Sequence, residues 1–348
     1  MRAAQSTANT PALVAELLHE YGTLTRRRLE RHLPAGSPTA HLYDLVADYP
    51  RRGGKMMRPT LCLAMARAFG ARTEDALDSA VAIELLHNAL LIHDDIEDES
   101  EERRGRPTLH LLHGVPLALN AGDMLILLGL QPLLDNIDRL GPRLAKSILL
   151  DAQRMARESA EGQAKELGWR QDNVTDLTDA DYLTMVLKKT CWLATILPSR
   201  IGALIGSRGR APLEPLLRFG FFLGAAFQIQ DDLLNLVADP RYGKEPCGDL
   251  YEGKRTLMLL HTYRLATGEE RERIDAQLAT PRRDKRGEEV AWLRGLMDRH
   301  DSVDYARGIA HGLAGAALHE LEASFAHLPD SRDKRFVRGL VTWVFERI

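Results

Sequence analysis

The sequence predicts an all-α fold, and three observations carry that prediction. Apolar residues recur at helical spacing almost throughout, strand-like alternation is hard to find, and Gly and Pro punctuate the apolar runs. Residues 1–35 read as a polar tail plus one basic amphipathic helix (TRRRLERHL), a surface feature. Residues 36–348 read as one all-α domain, since no composition shift marks a boundary. Gly53 and Gly54 precede a helix over 56–69. Residues 81–92, VAIELLHNALLI, are apolar nearly all round, as a buried helix is. The same holds for 116–134, 141–168, 181–206 and 214–237, with breaks at Gly105, Pro107, Gly141-Pro142, Pro198 and Pro240. Residues 267–290 alternate in charge and read as a solvated helix or loop. The sum is a single large bundle of roughly a dozen helices.

Bulk properties narrow the function classes. The formal net charge is −3, with no basic face of the kind a nucleic-acid binder shows, so no nucleic-acid partner is expected. The three cysteines, Cys62, Cys191 and Cys247, are odd in number and widely spaced. That argues against a disulfide framework or a structural zinc site and fits a reducing cytoplasm. The strongest apolar run, MLILLGLQPLL at 124–134, falls short of the roughly 20 residues of a membrane span, so no transmembrane segment is expected.

The stretch HDDIEDESEERRG at 93–105 poses the functional question. Asp94 and Asp98 are four apart, which on a helix stacks both carboxylates on one face, at the end of a buried apolar segment. Such a pair repels itself unless a cation intervenes. An EF-hand is disfavoured, because the loop lacks its required Gly. An echo follows at 227–235, FQIQDDLLN, where Asp231 and Asp232 again end an apolar run and Asn235 holds the i+4 position. Two such helix ends facing across a cavity offer hard oxygen ligands suited to Mg2+. Short Gly-flanked basic motifs complete the set: Lys55 and Arg58, Arg103 and Arg104, Lys188 and Lys189, Lys244, and Lys254 with Arg255. These groups suit phosphate, so the combination points to a diphosphate with an apolar tail.

In these motifs the chain resembles the trans-polyprenyl diphosphate synthases, closest in detail to geranylgeranyl diphosphate synthases. The likeness rests on GGKMMRP (53–59), DDIED…RRGRPT (94–108), KKT (188–190), FQIQDD (227–232) and YGK…CGDLYEGKRT (242–256), with HGVPLALNAGDMLILLGL (113–130) and EGQAKELGWRQDN (161–173). The resemblance implies the isoprenoid synthase fold, a helical bundle around a deep apolar pocket, and a homodimer. It implies head-to-tail condensation of isopentenyl diphosphate with an allylic diphosphate. Asp94, Asp98 and Asp231 would hold about three Mg2+ ions on the allylic diphosphate. Arg103, Lys189, Lys244 and Lys254 would contact that diphosphate, with Thr190 and Gln228 near the reacting carbon. Gly54, Lys55, Arg58, His87 and Arg104 would bind isopentenyl diphosphate. Asn235 departs from the family's second DDxxD, which predicts activity with weaker metal affinity.

Product length is expected to follow the pocket below Asp94. The residues four and five before it, Leu90 and Ala89, lie about one turn, ~6–7.5 Å, down the helix. Farnesyl-type enzymes resemble one another in carrying an aromatic there, and this sequence has none. Ile126, Leu127 and Ala160 match the lower floor of the eukaryotic-type group but are small. A C20 product is therefore favoured, with C25 or longer left open. Rival readings are a class I terpene cyclase and a non-catalytic regulatory subunit. The first lacks its second metal motif here, and the second tends to lose the DDxxD that this chain keeps.

Overall fold

The computed structural model describes residues 10–237 and 246–345. Lys244 and Pro240 lie outside the described residues. The order is α1 Thr10–Leu29, a π-helical turn Thr39–Tyr43 leading into α2 Asp44–Arg51, α3 Met57–Ala68, α4 Thr73–Glu97, β1 Glu102–Arg103, β2 Arg106–Pro107 and α5 Leu109–His113. There follow α6 Val115–Leu140, α7 Pro142–Gln171, α8 Asp179–Val186, a π-helical segment Leu187–Ile196, α9 Leu197–Ser207 and α10 Glu214–Val237. The chain closes with α11 Gly248–Glu252, α12 Leu257–Leu265, α13 Gly268–Ala279, α14 Gly287–Arg299, α15 Ser302–Phe325 and α16 Arg332–Phe345. The elements outnumber the expected dozen because five-residue helices such as α5 and α11 are too short to show a period.

Helix α4 is the axis of the bundle, flanked by α3 and α6 and in touch with α2 and α9. One core joins α3, α4, α7, the π segment, α9, α10 and the C-terminal helices. A second cluster gathers Leu45, Val46, Tyr49, Val81, Leu85, Ala89 and Leu125 between α2, α4 and α6.

Four expectations change. Helix α1 is not a surface appendage: Val14, Leu17 and Tyr21 bury its apolar face in the main core, and only its other side is basic. Pro198 does not break the chain into two helices. It sits in the first turn of α9, directly after the π segment, where the Leu197 N–H reaches back five residues to Trp192 O. The freed carbonyls of a wide turn tolerate a residue with no N–H to offer. Helix α6 is not buried all round: Leu119, Leu127, Leu130, Leu134 and Ile137 are exposed. Among the described residues two helices, α4 and α6, are by length and composition alone long and apolar enough to cross a membrane, which the 124–134 run by itself did not suggest. In α4, 72% of the apolar window is buried inside the fold; in α6, 39% is.

A two-stranded hairpin appears where no strand was expected, because its strands are two residues long. Arg104 and Gly105 turn it with φ of +55° and +72°, the left-handed pair that a tight hairpin favours. The turn aims the two arginines in different directions.

Candidate active site

The acidic pair ends α4. Asp94 lies in its last turn and Asp98 is its C-cap residue. A helix C-terminus already carries partial negative charge, so carboxylates there require cations. The structure supplies four. Lys189, on the π segment, lies 3.2 Å from Asp94 and also grips Glu166. Arg103, on β1, binds Asp95 through Nε at 3.0 Å and lies 3.6 Å from Asp94. Arg170, from α7, donates to Asp98 at 2.6 Å, and Lys254 lies 2.9 Å from the other Asp98 oxygen. Lys254 is shared with Glu252 at 2.6 Å and Asp249 at 3.7 Å.

This network sets the protonation states. Burial raises the Asp98 carboxyl, but Lys254, Lys189 and Arg170 more than reverse that and hold it well below the usual carboxylate range. Asp94 is likewise lowered, chiefly by Lys189 against its burial. Burial opposes the charge of Lys189 and Lys254, yet their carboxylate neighbours push both above the usual lysine value. Asp94 and Asp98 are therefore ionised, and Lys189 and Lys254 charged, at neutral pH.

Above an apolar floor these groups open onto one cavity of about 870 Å3. Asp94, Arg103 and Lys189 line it with Thr190, Gln228, Asp231 and Lys254. Gly54, Lys55, Arg58, His87 and Arg104 line it too. Arg104 donates to Tyr49 O at 3.0 Å and presses on Gly54, where an added Cβ would fall 2.9 Å from its Nη2. The bare glycine lets the guanidinium lie there; an added Cβ would displace the flexible end of Arg104. Gly162 is needed for the close approach of the π segment: a Cβ there would fall 2.3 Å from the backbone N of Lys189. Burial and Arg58 push the His87 imidazole down to about 4 against the pull of Glu84, whose Oε2 is 3.6 Å away, so it is neutral at pH 7.

Several expected residues stand elsewhere. Asp98 is 0% exposed and does not line the cavity; Arg170 and Lys254 cover it. Ala89 faces the second core cluster instead of the pocket, whereas its neighbour Leu90 lines the wall. A 100° step between consecutive helical residues separates them. Leu127 is 62% exposed on the outer side of α6, while Ile126 and Ala160 line the cavity. Asn235 is buried and its Oδ1 accepts the Asp249 backbone N–H at 3.0 Å, tying α10 to the start of α11. It does not line the cavity. Reasoning from sequence missed Glu166, Arg170, Asp249, Glu252 and Tyr182. Only EGQAKELGWRQDN held a hint, as a matching segment with no role assigned to Glu166 or Arg170.

Among the described residues, no three His, Cys, Asp or Glu side chains form a metal cage by themselves. Mg2+ keeps its waters and binds through one or two carboxylates plus substrate phosphates. Asp94 and Asp231 offer hard oxygens from two different helices, so the donor set fits such an ion shared with a diphosphate.

The polyprenyl synthetase family profile matches residues 39–296. The chain belongs to the polyprenyl synthetase family. It is 32% identical over 337 residues to a short chain isoprenyl diphosphate synthase of Methanothermobacter thermautotrophicus, covering 96% of this chain and 98% of that one. A crystal structure of geranylgeranyl pyrophosphate synthetase from Pyrococcus horikoshii superposes with a TM-score of 0.85 at 30% identity, over 97% and 99% of the two chains. A polyprenyl synthase from Caulobacter crescentus, complexed with calcium and isoprenyl diphosphate, gives 0.85 at 26% identity over 97% of each. The all-α fold read from the sequence is the fold of this polyprenyl synthetase.

Proposed function

We propose that this polyprenyl synthetase condenses isopentenyl diphosphate head to tail with an allylic diphosphate, and that its main product is the C20 geranylgeranyl diphosphate. One observation carries the reading. Asp94 and Asp231, from two helices, share an apolar-floored cavity with Arg103, Lys189 and Lys254. A cation-rich rim over an apolar well fits an amphiphile with a diphosphate head. The names of the matched synthases support the same substrate class.

Asp94 and Asp231 would hold Mg2+, about three ions in all as the family resemblance implies, with Asp98 joining once Arg170 and Lys254 leave it. Bound there, Mg2+ supplies charge to the diphosphate as the allylic C–O bond breaks. Arg103, Lys189 and Lys254 remain protonated and neutralise the departing diphosphate, an electrostatic effect strongest in a dry site. Thr190 donates to Gln228 Oε1 at 2.8 Å, and the oxygens of these two cavity-lining residues would stabilise the developing allylic cation. Lys55, Arg58 and Arg104 hold the second diphosphate, with neutral His87 as a hydrogen-bonding partner. The isopentenyl double bond forms the new C–C bond and a proton is lost, the released diphosphate being its acceptor. Leu90, Ile126, Leu193 and Phe227 keep water away from the cation.

We further assign a homodimer formed through the exposed apolar face of α6. Leu119, Leu127, Leu130, Leu134 and Ile137 make a stripe that a second copy would cover. Light scattering of the purified protein tests this; a monomer at micromolar concentration contradicts it. We place the enzyme in the cytoplasm, a reading that rests on its three free thiols. The function is tested with Mg2+, radiolabelled isopentenyl diphosphate and dimethylallyl, geranyl or farnesyl diphosphate, by sizing the products. Absence of condensation with every primer overturns it.

A further inference from the structure

The depth of the cavity depends on a residue that does not line it. Among the α4 residues on the cavity wall, Leu86 is the apolar one furthest from Asp94, eight residues or about 12 Å along the helix. Leu86 is buried, and its side chain lies back against α6. The residue it meets there is Gly129. A Cβ added at Gly129 would fall 3.0 Å from Leu86 Cγ and 3.1 Å from its Cδ2, with Ala82 O at 3.6 Å. Carbon pairs are at rest near 3.5–4.0 Å, so the two side chains could not both keep these places.

The direction of relief follows from packing. Leu86 stands between the α6 backbone and the open cavity, in a core with little other slack. Leucine rotates about two bonds, and the cavity that Leu86 lines is open space beside it. A side chain at 129 therefore pushes Leu86 into the well. Gly129 itself has no need of glycine's backbone freedom, since it lies in the interior of α6, where Ala is the better helix former.

We propose that Gly129 is a specificity-determining residue, which admits longer prenyl chains by letting Leu86 lie against bare α6 backbone. The inference rests on the prenyl-transfer reading above and names what sets its product length. It assigns to Gly129 an indirect role: no atom of it touches the substrate.

The test compares wild type with Gly129→Ala and Gly129→Val, using Mg2+, labelled isopentenyl diphosphate and farnesyl diphosphate. Products are sized, and thermal unfolding is followed in parallel. The expected result is a several-fold fall in the fraction of the longest product, larger for Val than for Ala, with no loss of thermal stability in the Ala variant. Leu86→Ala alone lengthens the product, and Leu86→Ala/Gly129→Ala gives the same lengthened product, because the side chain at 129 then has no leucine to push. An unchanged distribution in folded Gly129→Ala and Gly129→Val overturns the inference. So does a shortening that the Leu86→Ala change fails to relieve. A wild type that condenses nothing with any primer overturns the functional reading instead, so the two failures are distinguishable.

Discussion

Tyr182 donates its hydroxyl to Asp232 Oδ2 at 2.7 Å, while Gln228 donates its side-chain amide to the other oxygen of the same carboxylate at 2.8 Å. This pair of bonds settles which way Gln228 faces. With its NH2 turned to Asp232, its Oε1 is left to accept from Thr190. A chain of four residues thus orients the two groups nearest the proposed cation. Tyr182→Phe removes one donor from a buried carboxylate, at a cost of about 1–3 kcal/mol. Because the defect reaches the substrate through Gln228 and Thr190, kcat is expected to fall about tenfold or more while KM for isopentenyl diphosphate stays near wild type. Steady-state kinetics on the purified variant check this; a change in KM alone would show that Tyr182 is merely structural.

Adjacent residues on α4 should behave in opposite ways. Leu90 lines the well, so Leu90→Phe is expected to shorten the product. Ala89 is 0% exposed among Leu45, Tyr49, Leu85 and Leu125. Ala89→Phe therefore overpacks that cluster, lowering stability by about 1–3 kcal/mol or more without resetting chain length. Denaturation curves and product sizing on both variants separate the two effects.

The neutral His87 predicts a pH dependence. Its folded pKa, about 4, lies below the unfolded value of about 6.5. Between those values the unfolded chain binds the proton that the folded one excludes, so stability falls as pH drops through this window and is unaffected above it. The loss from this group is roughly 2 kcal/mol by pH 5. Urea unfolding at pH 7 and pH 5 measures it, and His87→Gln should flatten the difference.

Asn235 need not be restored to an acid. Its carbonyl oxygen caps the Asp249 N–H in a buried position. Asn235→Asp keeps the acceptor but adds a buried negative charge beside Asp249, at a cost of about 3–5 kcal/mol. No gain in apparent Mg2+ affinity is expected. A lower half-saturating Mg2+ concentration in the variant would contradict this placement.

Much of the molecule is legible in the sequence. The long helices announce themselves by period and punctuation, and the acidic pair at the end of a buried helix demands cations wherever it is placed. What escaped has a common cause. Whether Ala89 or Leu90 faces the well depends on which neighbour covers each side of α4, and an apolar helix buried all round does not encode that. Arg170 and Glu166 join the site from 72 and 23 residues away along the chain, from Asp98 and Lys189 respectively, and nothing local marks such pairs. Asn235 was read as a ligand because it stands four residues after Asp231, yet the start of α11 claims its side chain. The tiny hairpin at Arg103–Arg106 escapes because strands of two residues have no period.

The most direct test remains prenyl transfer by the purified protein with Mg2+, labelled isopentenyl diphosphate and each allylic primer in turn. The account predicts elongation of dimethylallyl, geranyl and farnesyl diphosphates to a C20 product. No condensation with any primer, or products that stop at C15, would contradict it.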